Sequence, residues 1–205
     1  HRTKATSSTA AYFLNITDDS IEVYTVSSNA WSTITLPSGV YESLARSPST
    51  GTMLAVDGNT NVVRVQSNGT TTATAMTSGF ITGNTGIGAA YGNGIFLHVR
   101  RDGNTIRSTD DGVSWTESVS TITSTDIYWR DVTYGNGRFV VVGHSQSGNT
   151  ARAAYSFDGL TWYYDDTNLR LMQNGILVRL LYQNGEFIAS QNSGASRNFA
   201  KSKDG

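Results

Sequence analysis

No cysteine occurs in the 205-residue chain, which removes disulfide frameworks, thiolate zinc sites and cysteine nucleophiles together. Charge is scarce as well. Only 15% of the residues are charged and the formal net charge is −1, whereas neutralising a nucleic-acid backbone takes clustered Lys and Arg. Nucleic acid is therefore not an expected partner. No apolar run approaches the roughly 18 residues that mark a membrane span, and no secretory signal pattern opens the sequence. The start, His1-Arg2-Thr3-Lys4, has no initiator Met, so the sequence reads as a fragment or a processed product. Proline is nearly absent, with Pro37 and Pro48 as the 2 in the chain.

What is abundant is Thr, Ser, Asn and Gly, with 21 Gly, beside 38% hydrophobic and 10% aromatic residues. That mixture suits short strands joined by tight turns and leaves little material for helices. Two N-x-[ST] sequons, at Asn15 and Asn68, are of the kind that a Thr-rich chain produces by chance.

The chain repeats itself. Ala90-Tyr91-Gly92-Asn93-Gly94-Ile95-Phe96-Leu97 aligns with Thr133-Tyr134-Gly135-Asn136-Gly137-Arg138-Phe139-Val140 and with Leu181-Tyr182-Gln183-Asn184-Gly185-Glu186-Phe187-Ile188. A worn copy reads Ser49-Thr50-Gly51-Thr52-Met53-Leu54. The turn glycines Gly51, Gly94, Gly137 and Gly185 are spaced by 43, 43 and 48 residues, the period of a four-stranded propeller blade. Asn-Gly between two apolar, β-branched or aromatic runs is a strong hairpin signal, because a type I′ turn needs positive φ at both central residues.

Downstream of each hairpin lies a second marker. Ser108-Thr109-Asp110-Asp111-Gly112-Val113-Ser114-Trp115 and Ser156-Phe157-Asp158-Gly159-Leu160-Thr161-Trp162 share a Ser-x-Asp…Gly…Trp pattern. Ser202-Lys203-Asp204-Gly205 gives its opening, and residues 27–31 and 66–69 are degenerate forms. These segments resemble Asp boxes, the repeats of sialidases and of many non-enzymatic propellers. As turn chemistry, the Asp carboxylate accepts backbone N–H groups, the Gly takes a backbone geometry costly to other residues, and the Trp fills space between blades. The resemblance implies a turn between the third and fourth strands of a blade, away from the ligand face, so Asp110 and Asp158 read as structural rather than as catalytic acids.

The expectation is an all-β chain: a β-propeller of four-stranded antiparallel blades, or a part of a larger one, with about five blade equivalents at residues 1–37, 38–78, 79–121, 122–168 and 169–205. The first blade would use residues 9–16 and 21–26 around a Thr17-Asp18-Asp19-Ser20 turn. Ending at Gly205 leaves the last sheet a strand short. Either the N-terminal residues supply that strand or the protein continues, and continuation is the favoured reading. Homo-oligomerisation is left open.

The resembled sialidases need three arginines converging on a substrate carboxylate, a Tyr–Glu nucleophile pair and an acidic acid/base. Arg46, Arg130 and Arg179 fall on or near inner strands, with solvated or salt-bridged surface roles as the alternative. The Arg-Ile-Pro segment of that family is absent, and only Glu22, Glu42, Glu117 and Glu186 are available. A carboxylate pair for glycoside hydrolysis needs a separation of roughly 5–10 Å that sequence cannot establish. No catalytic residue is assigned. No metal or cofactor is expected either. His1, His98 and His144 lack ligand spacing, and Asp18-Asp19, Asp110-Asp111 and Asp165-Asp166 are explained more simply as turns than as Ca²⁺ ligands. Residues 83–88 are Gly-rich, but no helical pattern follows to make a phosphate loop.

Aromatic residues give the binding candidates: Tyr128, Trp129 and Arg130 before an inner strand, and Tyr163 and Tyr164 after Trp162. Flat rings with polar edges suit sugar faces and protein hot spots, and packing between blades is the competing reading. The phrase Tyr-Gly-Asn-Gly-x-Phe-Val-Val-Val-Gly followed by Ser-x-Asp-Gly-x-Thr-Trp resembles propeller repeats of bacteriophage tail, fibre and other virion proteins and of bacterial surface proteins. That resemblance covers residues from about 85 onward well and residues 1–80 weakly. It implies a non-enzymatic module on a virion or extracellular surface, whose partners are other virion proteins or a host-surface glycan or protein. A sialidase-like hydrolase and a ligand-free scaffold are the alternatives.

Overall fold

The structure, a computed structural model, describes residues 2–6, 9–39, 41–57, 61–75, 86–118, 121–148, 150–164, 176–192 and 199–203. Strands follow one another along the chain, each paired antiparallel with the next to give five successive sheets. The first sheet holds β1 (Arg2–Thr6), β2 (Ala10–Asn15), β3 (Ser20–Thr25) and β4 (Ala30–Thr35). The second holds β5 (Tyr41–Arg46), β6 (Met53–Asp57), β7 (Asn61–Val65) and β8 (Thr71–Ala75). The third holds β9 (Gly86–Gly92), β10 (Ile95–Arg100), β11 (Thr105–Ser108) and β12 (Thr116–Ser118). The fourth holds β13 (Ile127–Gly135), β14 (Arg138–Ser145), β15 (Ala151–Ser156) and β16 (Tyr163–Tyr164). In the fifth, β17 (Ile176–Gln183), β18 (Glu186–Asn192) and β19 (Phe199–Ser202) are the described strands.

The first strands of successive sheets lie side by side, β1 by β5, β5 by β9, β9 by β13 and β13 by β17, so the sheets are the blades of a β-propeller. The N-terminal residues do not complete the last sheet, because Arg2–Thr6 pairs with β2 as the first strand of its own blade.

The core is divided in the way this architecture requires. One apolar cluster joins blades one and two through Leu14, Ile21, Leu44 and Val63, and another joins blades two and three through Ala45, Leu54, Phe96 and Ile106. Leu97, Val99, Trp129, Phe139 and Trp162 fill the space between blades three and four, and Val140, Val142, Leu180 and Phe187 that between four and five. Each fully buried side chain of this size contributes about 1.5–3 kcal/mol. Both faces of an inner strand are therefore covered by neighbouring blades, which is why Ile95 through Arg100 is buried at every position, His98 and Arg100 included.

Local chemistry sets the turns. Asn93-Gly94, Asn136-Gly137 and Asn184-Gly185 all take positive φ at both residues and close two-residue hairpins. The Ser-x-Asp turns link third to fourth strands. Ser108 Oγ donates to Asp110 Oδ1 at 2.7 Å and accepts from Gly112 N at 2.8 Å, and Ser114 N donates to the Asp110 carboxylate at 2.9 and 3.0 Å. Asp158 repeats this with Ser156 Oγ, Leu160 N and Thr161 N, while Gly159 N reaches Ser156 Oγ. Trp162 is buried and Trp115 packs partly buried against the cluster between blades two and three. Ser202 ends β19, and Asp204 and Gly205 lie outside the described residues, as do Asp165, Asp166 and residues 83–85.

These turns also join blades. Thr50 Oγ1, Thr52 Oγ1 and Arg64 Nη2 all donate to the Asp111 carboxylate, and Arg64 Nε donates to the Asp111 carbonyl at 2.8 Å. One blade on, Arg107 Nη1 donates to the Asp158 carbonyl and Thr105 Oγ1 to the Gly159 carbonyl. Each turn thus docks on the preceding blade, at the end of the propeller that also carries the Asn-Gly hairpins.

Candidate functional site

The opposite end, where first strands begin and second strands finish, is built differently. Every first strand slips register there: between Thr3 and Ala5, Tyr41 and Ser43, Gly86 and Gly88, Trp129 and Asp131, and Leu177 and Arg179. Such bulges concentrate at rims and beside functional sites because they re-aim a side chain. In blade four the residue left out of the ladder is Arg130. Gly143 permits the slip, since a Cβ there would stand 2.3 Å from the Tyr128 carbonyl oxygen.

Tyr128 is the centre of this rim. The Arg101 guanidinium lies over its ring at 3.4 Å from the centroid, and that of Arg130 at 5.9 Å. His144, opposite Tyr128 in the β13–β14 ladder, meets the ring edge-on at 6.0 Å. Arg101 is held by the turn after β10, where its carbonyl accepts from Trp129 N and the Asp102 carbonyl accepts from Ser124 N. The Nε atoms of Arg101 and Arg130 and Nδ1 of His144 are buried and make no hydrogen bond. An open groove of about 770 Å³ adjoins Tyr128, lined by Asp102, Thr123, Ser124, Thr125 and Gln146.

Electrostatics sets this cluster apart. Burial, then the neighbouring Arg101 and, more weakly, Arg179, hold the Arg130 guanidinium below its ordinary pKa. Burial, then Arg130 and Arg101, push the His144 imidazole below its usual value as well. Two guanidinium groups thus concentrate positive charge against a partly desolvated ring. The adjacent Arg100 differs: it is 2% exposed and faces Asp102 at 3.6 Å and Glu117 at 3.7 Å. Planar guanidinium groups that crowd together while retaining unused donors are suited to an oxyanion such as a carboxylate, sulfate or phosphate ester.

A radial array of antiparallel blades has counterparts among solved proteins. The chain is a β-propeller. It superposes on YCF48 bound to D1 peptide with a TM-score of 0.65 and 17% identity, over 93% of this chain and 60% of that one. A chain of a nidogen/laminin complex gives a TM-score of 0.64 and 13% identity, over 93% of this chain and 77% of that one. The propeller described here thus spans 60% of the length of the YCF48 chain. No family profile and no curated sequence matches the chain.

On this propeller the residues singled out by sequence separate. Tyr128 and Arg130 share the charged rim. Trp129, expected as a binding aromatic, does not present a face to solvent: it is 0% exposed and its Nε1 donates to the Ile122 carbonyl at 3.1 Å. The alternation of β13 turns it into the space between blades three and four, where a large ring is needed for packing. Tyr163 and Tyr164 are exposed, but on the outermost strand, where Tyr163 stacks on Tyr155 at 5.3 Å. They do not join Tyr128. Of the three arginines named from sequence, Arg179 acts on Arg130, while Arg46 ends β5 at the far mouth and lies over Tyr12. Arg101 and His144 complete the cluster instead. Their one sequence signal is position: each closes a second strand or begins the turn after it.

Proposed function

We propose that the chain is a non-enzymatic recognition module of virion type, acting at a virion or extracellular surface, that captures an anionic group of a host-surface glycan or protein. The observation that carries this reading is the convergence of Arg101 and Arg130 on Tyr128, each with a buried Nε that makes no hydrogen bond, where Tyr128 itself lines an open groove. Peptide or protein partners are found with similar propellers: the YCF48 structure holds a D1 peptide, and the other superposed chain comes from a nidogen/laminin complex. The virion setting rests on the repeat resemblance. Among the described residues no helix is long and apolar enough to cross a membrane.

A sialidase-like hydrolase is the second reading, favoured by the action of both Arg101 and Arg179 on Arg130. The two part on the carboxylates. Among the described residues, the charged groups acting on Arg130 and His144 are arginines and Tyr128, with no Glu among them. A glycan array carrying sialylated, sulfated, uronic-acid and neutral glycans, run beside fluorogenic sialoside and hexoside hydrolysis, tests both. Binding of acidic glycans without turnover, lost in Arg130→Gln, is the expected result. Turnover would establish the hydrolase, and silence in both assays would leave a scaffold.

A further inference from the structure

We propose that His144 is a binding residue of the same rim, so that an oxyanion held by Arg101 and Arg130 is bound more tightly as the pH falls. This rests on the anion-binding reading above. The placement of His144 argues for it. His144 and Tyr128 are direct partners across an antiparallel ladder, so their side chains rise from the same face of the blade. His144 is 4% exposed as a residue, and its buried Nδ1 makes no hydrogen bond. A buried, unused ring nitrogen is costly in a finished core and useful beside a ligand that brings its own acceptor.

The charges that act on the His144 imidazole, Arg130 and Arg101, are both positive. From β13 come Tyr128 and Arg130, and from the turn after β10 comes Arg101. Arg179 on β17 acts on Arg130. On β15, Ala151 is the ladder partner of His144, and the next residue, Arg152, acts on Asp126, whose carboxylate is also engaged by Ser147. Burial, Arg130 and Arg101 oppose an imidazolium in the empty site.

A bound oxyanion reverses the local field. It places negative charge where Arg101, Arg130 and His144 meet and so favours the protonated ring. Binding and protonation are linked, so whatever raises the His144 pKa on binding must tighten binding on protonation by the same factor. Affinity is flat above the pKa of the anion-bound state. It rises as the pH falls through that value and levels off below the pKa of the empty site. Each unit by which the anion raises the pKa corresponds to about a tenfold gain in affinity.

The test uses the whole chain and inorganic sulfate, which does not itself titrate between pH 4.5 and 8. Imidazole NMR resonances are followed against pH with and without sulfate, and sulfate affinity is read from Tyr128 ring shifts across the same range. Expected are an upward move of the His144 titration on sulfate addition, an unchanged His98 titration, and an affinity that increases toward acid. His144→Gln should bind sulfate with the affinity that the wild type shows at high pH, now independent of pH. Sulfate binding with a flat affinity and an unmoved His144 titration would overturn the role of His144 and leave the arginine site standing. Absence of any sulfate binding from pH 4.5 to 8 would overturn both. The wild-type titration decides the matter even where His144→Gln fails to fold.

Discussion

The ring of Tyr134 lies so close over Gly92 of the preceding blade that a Cβ on Gly92 would stand 2.0 Å from Tyr134 Cγ. Tyr182 covers Gly135 in the same way at 2.1 Å, and each tyrosine also packs on the phenylalanine of its own hairpin, Phe139 or Phe187. The repeated Tyr-Gly-Asn-Gly-x-Phe phrase is thus an interblade joint as well as a hairpin. Gly92→Ala and Gly135→Ala should each destabilise the chain by about 1–3 kcal/mol or more through overpacking. Gly94→Ala meets open space and should cost only the strain of its positive φ, about 1 kcal/mol. Urea denaturation of the three variants checks the order, and equal losses would refute the joint.

The two acidic residues of one turn should separate in mutagenesis. Asp111 receives Thr50, Thr52 and Arg64 from the preceding blade, with the Arg64–Asp111 contact at 3.0 Å and both side chains mostly covered. Asp111→Ala leaves those donors without their acceptor and should cost about 1–3 kcal/mol. A double-mutant cycle with Arg64→Ala should return a coupling of about 1 kcal/mol, since the two residues are in direct contact. A coupling indistinguishable from zero would mean that the blades do not depend on this turn.

Asp110 instead stabilises its own turn. Hydrogen bonds from the Ser114 hydroxyl and backbone N–H, then from Ser108, lower its pKa to about 2. A carboxylate lowered in the folded state contributes stability that is fully present above its unfolded pKa near 3.9 and is lost as the pH falls toward 2. The Asp110 carboxylate is exposed and screened by solvent, so the amount is about 1 kcal/mol or less. Asp110→Asn should therefore lie slightly below wild type at pH 6 and converge with it near pH 2. Stability curves that stay parallel down to pH 2 would contradict this.

Trp129→Ala should lower stability by about 3–5 kcal/mol, the range for truncating a large buried aromatic, and its urea midpoint should fall accordingly. Any binding lost in that variant then reports unfolding and says nothing about ligand contact. Tyr128→Ala, at the rim, should weaken anion binding with little change in the midpoint.

The fold was legible because its signals are local and repeated. Asn136-Gly137 and Ser156-Phe157-Asp158 specify their turns through residues within a few positions of one another, and three or more copies confirm the period. The site was less legible because nothing local specifies it. Arg46 and Arg130 both sit on first strands, yet one ends its strand and the other occupies a bulge at the start of its strand, and a register slip leaves no compositional mark. Trp129 read as a ligand platform because both faces of an inner strand are buried, so alternation does not separate an axial face from an interblade one. Asp111 read as turn chemistry together with Asp110, and its role between blades left no local mark, since its partners Thr50 and Arg64 lie a whole blade away.

Arg130 should show the opposite profile to Trp129. Burial and two neighbouring arginines oppose its charge in the empty site, so Arg130→Gln relieves repulsion while keeping a polar side chain of similar reach. Without ligand its melting temperature should equal or exceed that of wild type, as at functional sites maintained against stability. With sulfate the order should invert. A ligand at 100 times its dissociation constant stabilises the folded state by about 2.7 kcal/mol, and only wild type should gain that specific share above the general salting effect seen in both proteins. Arg101→Gln should behave in the same way, whereas Arg138→Gln, beside Tyr155 on another part of blade four, should retain the sulfate response. Thermal melts of the four proteins across a sulfate series make the comparison. If Arg130→Gln melts well below wild type in the absence of sulfate, the guanidinium is a structural group of the rim and the anion site has to be sought elsewhere on the propeller.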